Sequence, residues 1–132
     1  MRSAGDLSLS LVAEAGDAIV GHVAFSPAIL STGARGWQTL GPISVDPDWQ
    51  GQGIGRALIA AGVAHWRAAR ENGIVLLGSP DLYGRFGFVR DSPLHIEGPL
   101  APYFQVLAFS EEVSRASVEF ASAFSEARPE GS

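Results

Sequence analysis

An apolar run that ends at Val45 and an amphipathic stretch that begins at Ile54 are joined by a loop with glycine at 51, 53 and 55. Glycines at alternate positions let the backbone turn sharply and approach a ligand closely. The first turn of a following helix presents unpaired N–H groups carrying partial positive charge. Strand, glycine loop and helix start, in that order, make a cradle for a phosphate.

Two familiar phosphate loops do not fit it. A P-loop needs Lys followed by Ser or Thr after its last glycine, but the chain has no lysine and all nine basic residues are arginine. The dinucleotide fingerprint needs Gly or Ala three residues after its second glycine, where this chain has Arg56 in one register and Leu58 in the other. Nucleoside triphosphate, nicotinamide and flavin ligands are disfavoured.

Around the loop, periodicity predicts a small α/β domain. Leu7, Leu9 and Leu11 alternate, Ala15-Gly16-Asp17 supplies a turn, and 19–25 resumes the apolar pattern, which predicts a β-hairpin. Residues 27–38, with Pro27, Gly33 and Gly36, read as a connection to a strand over 40–45. Positions 54, 57, 58, 61, 62, 65, 66 and 69 trace one helical face, and Asn72-Gly73 provides a stop. The short apolar run 74–78 reads as a buried strand parallel to 40–45, completing a βαβ unit. Residues 103–109 read as a strand, and 111–124 satisfy a helix and a strand equally.

Composition narrows the class. A chain of 132 residues with 46% hydrophobic content can bury one moderate core, so one domain over 1–125 is expected, with a frayed tail over 126–132. Zero cysteines remove disulfides, thiolate metal sites and cysteine nucleophiles together, and His22, His65 and His95 lie too far apart for metal-ligand spacing. No metal is expected. A net charge of −5 without a basic cluster argues against nucleic acid and favours a cationic partner such as an amine. No apolar run approaches the roughly 20 residues needed to span a bilayer, so no membrane association and a cytoplasmic location are expected.

Gln50, Gly53 and Gly55 fall in the pattern Gln/Arg-x-x-Gly-x-Gly/Ala, which resembles the coenzyme A signature of the GCN5-related N-acetyltransferase (GNAT) family. The flanking Gly41-Pro42-Ile43-Ser44-Val45 with Pro47 is similar to that family's fourth strand, and Leu58-Ile59-Ala60-Ala61 to its third helix. Gly78 to Phe88, containing Tyr83-Gly84-Arg85-Phe86-Gly87-Phe88, is most like its YhbS-type branch. Residues 117–124 resemble that branch's closing strand, which favours a strand near 117–120. The resemblance implies a mixed α/β (α+β) fold, mostly antiparallel with a central parallel βαβ unit. Against the family pattern the chain starts near the hairpin, without the usual initial strand and two helices, which help to wall the acceptor pocket. That departure also predicts uncovered apolar surface and association, for example as a homodimer.

The activity so implied is direct transfer of acetyl from acetyl-coenzyme A to a primary amine, with acetyl-CoA as co-substrate and a small-molecule or peptide amine as acceptor. The expected coenzyme contacts are Ile43, Ser44, Val45, Gln50, Gly51, Gln52, Gly53, Ile54, Gly55 and Arg56. Within that set, N–H groups from 52 to 56 would hold the diphosphate, and the backbone at Ile43 and Val45 would pair with pantetheine as an added strand. Arg56 is either a phosphate contact or a solvated helix residue, and Gln50 either meets the ligand or closes the loop. Tyr83 is the expected catalytic residue, donating to the departing thiolate, with packing beside Phe86 and Phe88 as the alternative. From a tyrosine near pKa 10 to a thiol near 8.5, complete proton transfer is uphill by about 1.5 units, roughly 2 kcal/mol, so a hydrogen bond to the thiolate suffices. Arg85 reads either as a coenzyme phosphate contact or as one half of a surface salt bridge. Asp46, Asp81 and Glu97 are available as bases, although turn-forming or solvated roles suit each, and His22 reads as a packed histidine. Two other classes stay open: a non-catalytic acyl-CoA-binding or regulatory module, and a structural α/β domain whose glycine loop serves only packing.

Overall fold

The computed structural model describes residues 9–79, 83–90, 92–109, 113 and 115–120. Leu7, the tail over 126–132 and the end of the closing segment after 120 lie outside them. Two strands, β1 (Leu9–Ala15) and β2 (Ala18–Leu30), form the expected hairpin around Gly16, whose φ of 61° suits glycine in a two-residue turn. They are followed by β3 (Trp37–Val45), helix α1 (Ile54–Ala68), β4 (Gly73–Leu77), β5 (Leu94–His95), β6 (Phe104–Ala108) and β7 (Ala116–Phe120). One seven-stranded sheet runs β5-β7-β2-β3-β4-β6, with β1 also paired to β2.

The structure corrects the expected connection over 27–38: β2 continues through Pro27 to Leu30, and β3 starts at Trp37. Among the described residues, one edge of β2 pairs with β1 as far as Phe25 and with β7 from Ala28. Ser31 N–H donates to Ser117 O, so by alternation Pro27, like Ser31, presents its backbone to that edge, and no described residue pairs with it there. The pair Leu94–His95, too short to carry a periodic signal, pairs in parallel with β7.

Helix α1 covers one face of the sheet. Its buried positions are Leu58, Ile59, Gly62 and Trp66, so the apolar stripe is rotated from the expected one, and Ala57, Ala61 and His65 face outward. Phe25 sets that rotation, since its ring fills the notch at Gly62 and meets Trp66 edge-on at 6.0 Å. A second cluster, including Trp37, Val75, Phe104 and Val118, occupies the opposite face.

The βαβ unit is present, with one change of register. The parallel pairs are Trp37↔Gly73, Gln38↔Ile74 and Thr39↔Val75, so β4 pairs with the first third of β3 and not with 40–45. Asn72 anchors this junction: its side-chain amide donates to Arg35 O at 2.7 Å, its N–H donates to Gly36 O at 2.7 Å, and its carbonyl accepts from Phe109 N–H. Beyond Thr39 a bulge places Gly41 and Pro42 opposite the single residue Ala24, and a bulged strand bends and twists away from its flat course. From there to Val45 the side of β3 toward β4 has no partner strand among the described residues.

Close packing at the junction leaves no room at Gly73, where a Cβ would overlap the Leu107 carbonyl oxygen and the Trp37 ring. Gly73→Ala is expected to destabilise the domain by about 1–3 kcal/mol, because backbone stands in the way. Chemical denaturation of the two proteins measures the difference, and equal midpoints would contradict this packing.

Candidate functional site: an uncapped helix start beside a parted strand edge

Between β3 and α1 the chain makes a 3-10 turn at Pro47–Trp49, with Asp46 as its cap through a 2.9 Å bond from Asp48 N–H. Asp46 therefore has the turn-forming role. Gly51 and Gly53 have φ of 80° and 85°, the left-handed region where glycine carries no penalty. Gln50 closes the loop, its side-chain amide donating to Val45 O at 3.1 Å. The result is a cleft of about 560 Å³ lined by Val45 and the segment 49–56. All seven loop residues expected from the sequence line it, together with Trp49, an exposed aromatic that carried no motif signal.

The start of α1 carries uncompensated partial positive charge. Its cap, Gly53, supplies no side-chain hydrogen bond, and no acidic residue stands in the first turn. The first intrahelical bond is Ala57 N–H to Gly53 O at 3.0 Å, which leaves the N–H groups of Ile54, Gly55 and Arg56 outside the helical ladder. Arg56 adds a cation at the end where the helix dipole already disfavours one. Gly55 has an ordinary helical φ, and a Cβ there would meet only Val45 Cγ2, at 3.8 Å. Among the described residues nothing packed around position 55 calls for glycine.

The strand edge continues this surface. Asp46 N–H donates to Val20 O at 2.8 Å, so in the antiparallel β2–β3 ladder Ser44 faces β2, and Ile43 and Val45 present their N–H and C=O groups to the unpaired side. Of these groups the Val45 carbonyl is engaged by Gln50. The Ser44 side chain is exposed.

Tyr83 stands beyond the C-terminal end of β4, on the far side of the opening. Its ring lies against Gly78, where a Cβ would come within 2.5 Å of Cε2, and meets Phe88 edge-on at 6.0 Å. Gly84–Phe86 forms a 3-10 turn, Gly87 ends it with φ of 97°, and Phe88 returns to the core. Burial pushes the Tyr83 phenol above its ordinary value of 10.0 and keeps it protonated. Behind it, Gln105, 1% exposed, donates to Gly78 O at 2.9 Å, and Gly78 N–H donates to Tyr103 O.

The other candidates lie apart from this region. Arg85 is exposed and does not line the cleft. His22, half-buried, bonds Ser10 Oγ at 2.8 Å, and Glu97 lies 3.7 Å from His95 Nε2. Asp81 falls outside the described residues. Among the described residues no three His, Asp or Glu side chains cluster as metal ligands, and no helix is long and apolar enough to cross a membrane.

A mixed sheet with one parallel βαβ unit that parts at a glycine-loop helix is an acetyltransferase architecture, and residues 6–90 match the acetyltransferase (GNAT) domain model. The chain belongs to the GNAT family. It is 37% identical over 89 residues to the N-acetyltransferase YhbS of Escherichia coli K12, covering 67% of this chain and 53% of that protein. To the N-acetyltransferase YjhQ of the same strain it is 34% identical, covering 61% and 46%. Thus the chain spans about half the length of these curated relatives. Among solved structures, a GNAT family acetyltransferase from Brucella melitensis in complex with acetyl-CoA is 43% identical with a TM-score of 0.76, covering 89% of this chain and 69% of that one. Escherichia coli YhbS in complex with CoA is 31% identical with a TM-score of 0.79, covering 92% and 71%.

The buried phenol has a consequence for stability. The folded state holds the Tyr83 proton more tightly than the unfolded chain, so its contribution is complete below about pH 10 and is lost as pH rises through the raised folded value. Thermal melting of the wild type should fall more steeply above about pH 10 than that of Tyr83→Phe. Parallel curves would show that the phenol is not buried in solution.

Proposed function

We propose that this domain binds acetyl-coenzyme A across the α1 N-terminus and the free edge of β3, and transfers its acetyl group directly to a primary amine. The observation that carries the reading is the continuity of the two surfaces. Open N–H groups at 54–56 suit a diphosphate, and the outward backbone at Val45 and Ile43 leads from them into the opening between β3 and β4, as an added strand would require. Gly55, which no packing among the described residues requires, suits close approach of such a ligand.

The bound cofactor would supply an acetyl thioester. Arg56, which lines the cleft together with Trp49, would neutralise phosphate charge. Tyr83 would donate a hydrogen bond to the sulfur as it leaves. Its raised pKa makes complete proton transfer less favourable than from a free tyrosine, so stabilisation of the thiolate is its main role. The reading extends to a dimer in solution, for which the β1–β2 hairpin offers Val12 and Ile19, 47% and 62% exposed. A cytoplasmic setting suits a reaction that consumes acetyl-CoA.

Two variants test the reading. Gly55→Ala should fold as well as the wild type, since alanine is favoured over glycine in a helix by about 0.5–1 kcal/mol, yet its Cβ would occupy the cradle and weaken acetyl-CoA binding about tenfold or more. Tyr83→Phe should keep acetyl-CoA affinity and lose about 100-fold in amine-dependent thiol release, the usual scale for a positioned acid. Calorimetry and a free-thiol assay with an amine panel read both. Unchanged binding in the first and unchanged turnover in the second would overturn the roles assigned. Binding without amine-dependent thiol in the wild type would identify an acyl-CoA-binding module instead.

A further inference from the structure

A second cleft, of about 450 Å³, opens on the face of the sheet opposite α1. Leu76 belongs to the core beneath α1, whereas Val75 and Leu77 side with the opposite cluster. Val75 is the last β4 residue paired to β3, so Leu77, two residues on, stands on the far face where the strands have parted. From Leu77 the cleft is walled by Ile96, Leu100 and Val118, which come from the β5–β6 connection and β7. Pro99 and Ser117 also line it, together with two carboxylates, Glu97 and Glu119, both exposed. No Arg lines it among the described residues, and His95 Nε2 lies 3.7 Å from the Glu97 carboxylate.

Position, size and charge select an occupant. A donor laid from the α1 start along Val45 and Ile43 would point toward Thr39, where pairing with β4 ends, and the second cleft begins two residues past that point of β4, at Leu77 on the opposite face. Its volume suits a small molecule, not a folded partner. Apolar walls favour a hydrocarbon body, and two carboxylates without a lining Arg favour a cation and repel an anion. We infer that this cleft takes the acceptor as a primary amine on an apolar alkyl or arylalkyl body, which rests on the donor reading above. Hydrophilic amines such as amino sugars leave the walls unsatisfied, and amino acids bring a carboxylate of the wrong sign.

The chemistry balances with the groups present. The ammonium gives one proton to a carboxylate of the cleft or to water, and its freed lone pair forms the C–N bond to the acetyl carbon. The C–S bond breaks, and sulfur leaves with the electron pair toward the Tyr83 hydroxyl. Loss of the second nitrogen proton completes the amide. The products are the N-acetyl amine, the free thiol and one net proton.

Amide chemical-shift mapping with three probes, followed by turnover, tests the assignment. 2-Phenylethylamine should shift the amides of Leu77, Ile96 and 117–119, whereas ethanolamine, without the apolar body, and phenylacetate, with the opposite charge, should not. Glu97→Gln and Glu119→Gln should each raise KM for 2-phenylethylamine about fivefold, the upper scale for an exposed charge pair, and the double variant about twentyfold. Acetyl-CoA affinity should stay unchanged in all three. Bound acetyl-CoA with equal turnover of ethanolamine and 2-phenylethylamine, or with unchanged KM in the double variant, would overturn the cleft's role and leave the donor reading intact. Failure of acetyl-CoA to bind in the same titrations would overturn the donor reading, and with it any role of a bound amine as acceptor.

Discussion

The limited pairing of β3 with β4 is the constraint on which the rest depends. Three parallel residue pairs hold the strands at Trp37–Thr39, and the bulge opposite Ala24 follows at once. Antiparallel pairing with β2 is kept up to Val45, so β3 stays in the sheet while its other edge is exposed. Buried backbone polar groups without partners are costly. An edge opened inside a sheet is therefore tolerated only where solvent or a ligand completes its hydrogen bonds, and this one leads directly to a helix start with the same deficit.

The surroundings brace that opening from both sides. Asn72 ties the loop before β3 to the starts of β4 and the end of β6, fixing where pairing begins. On the far side, Gln105 and Tyr103 hold Gly78, against which the Tyr83 ring rests. Helix α1 is held by Phe25 in the Gly62 notch, and this packing sets where its N-terminus lies relative to Val45. Core packing, not the glycine loop alone, thus aligns the helix start with the strand edge.

Much of this was legible in local residues. The glycine loop, the helix from Ile54, the strand near 74–78 and the closing strand near 117–120 each carry a turn signal, a period or a motif within one short window. Pro27 is no bar to a strand because its missing N–H matters only if that side needs a partner, and its other side pairs with Gln38 of β3, a tertiary contact that no local signal announces. Periodicity does not fix the buried stripe of α1, because alanine and glycine count toward a helical face without saying which side a phenylalanine from another strand will fill. Parting of β3 from β4 is a matter of register, which no residue type announces. The far-face cleft combines β4, β7 and the connection after β5, so no window of sequence contains it.

Amide chemical shifts of the labelled wild-type domain during titration with coenzyme A test the central claim most directly. The two surfaces should respond together, with saturable shifts at the amides of Ile43, Val45 and Ile54 to Arg56, and with little change at the β2-facing amide of Ser44. Shifts at the helix start alone would contradict the strand-edge half of the account. Saturation without any response at these amides, or no binding at millimolar coenzyme A, would contradict it altogether.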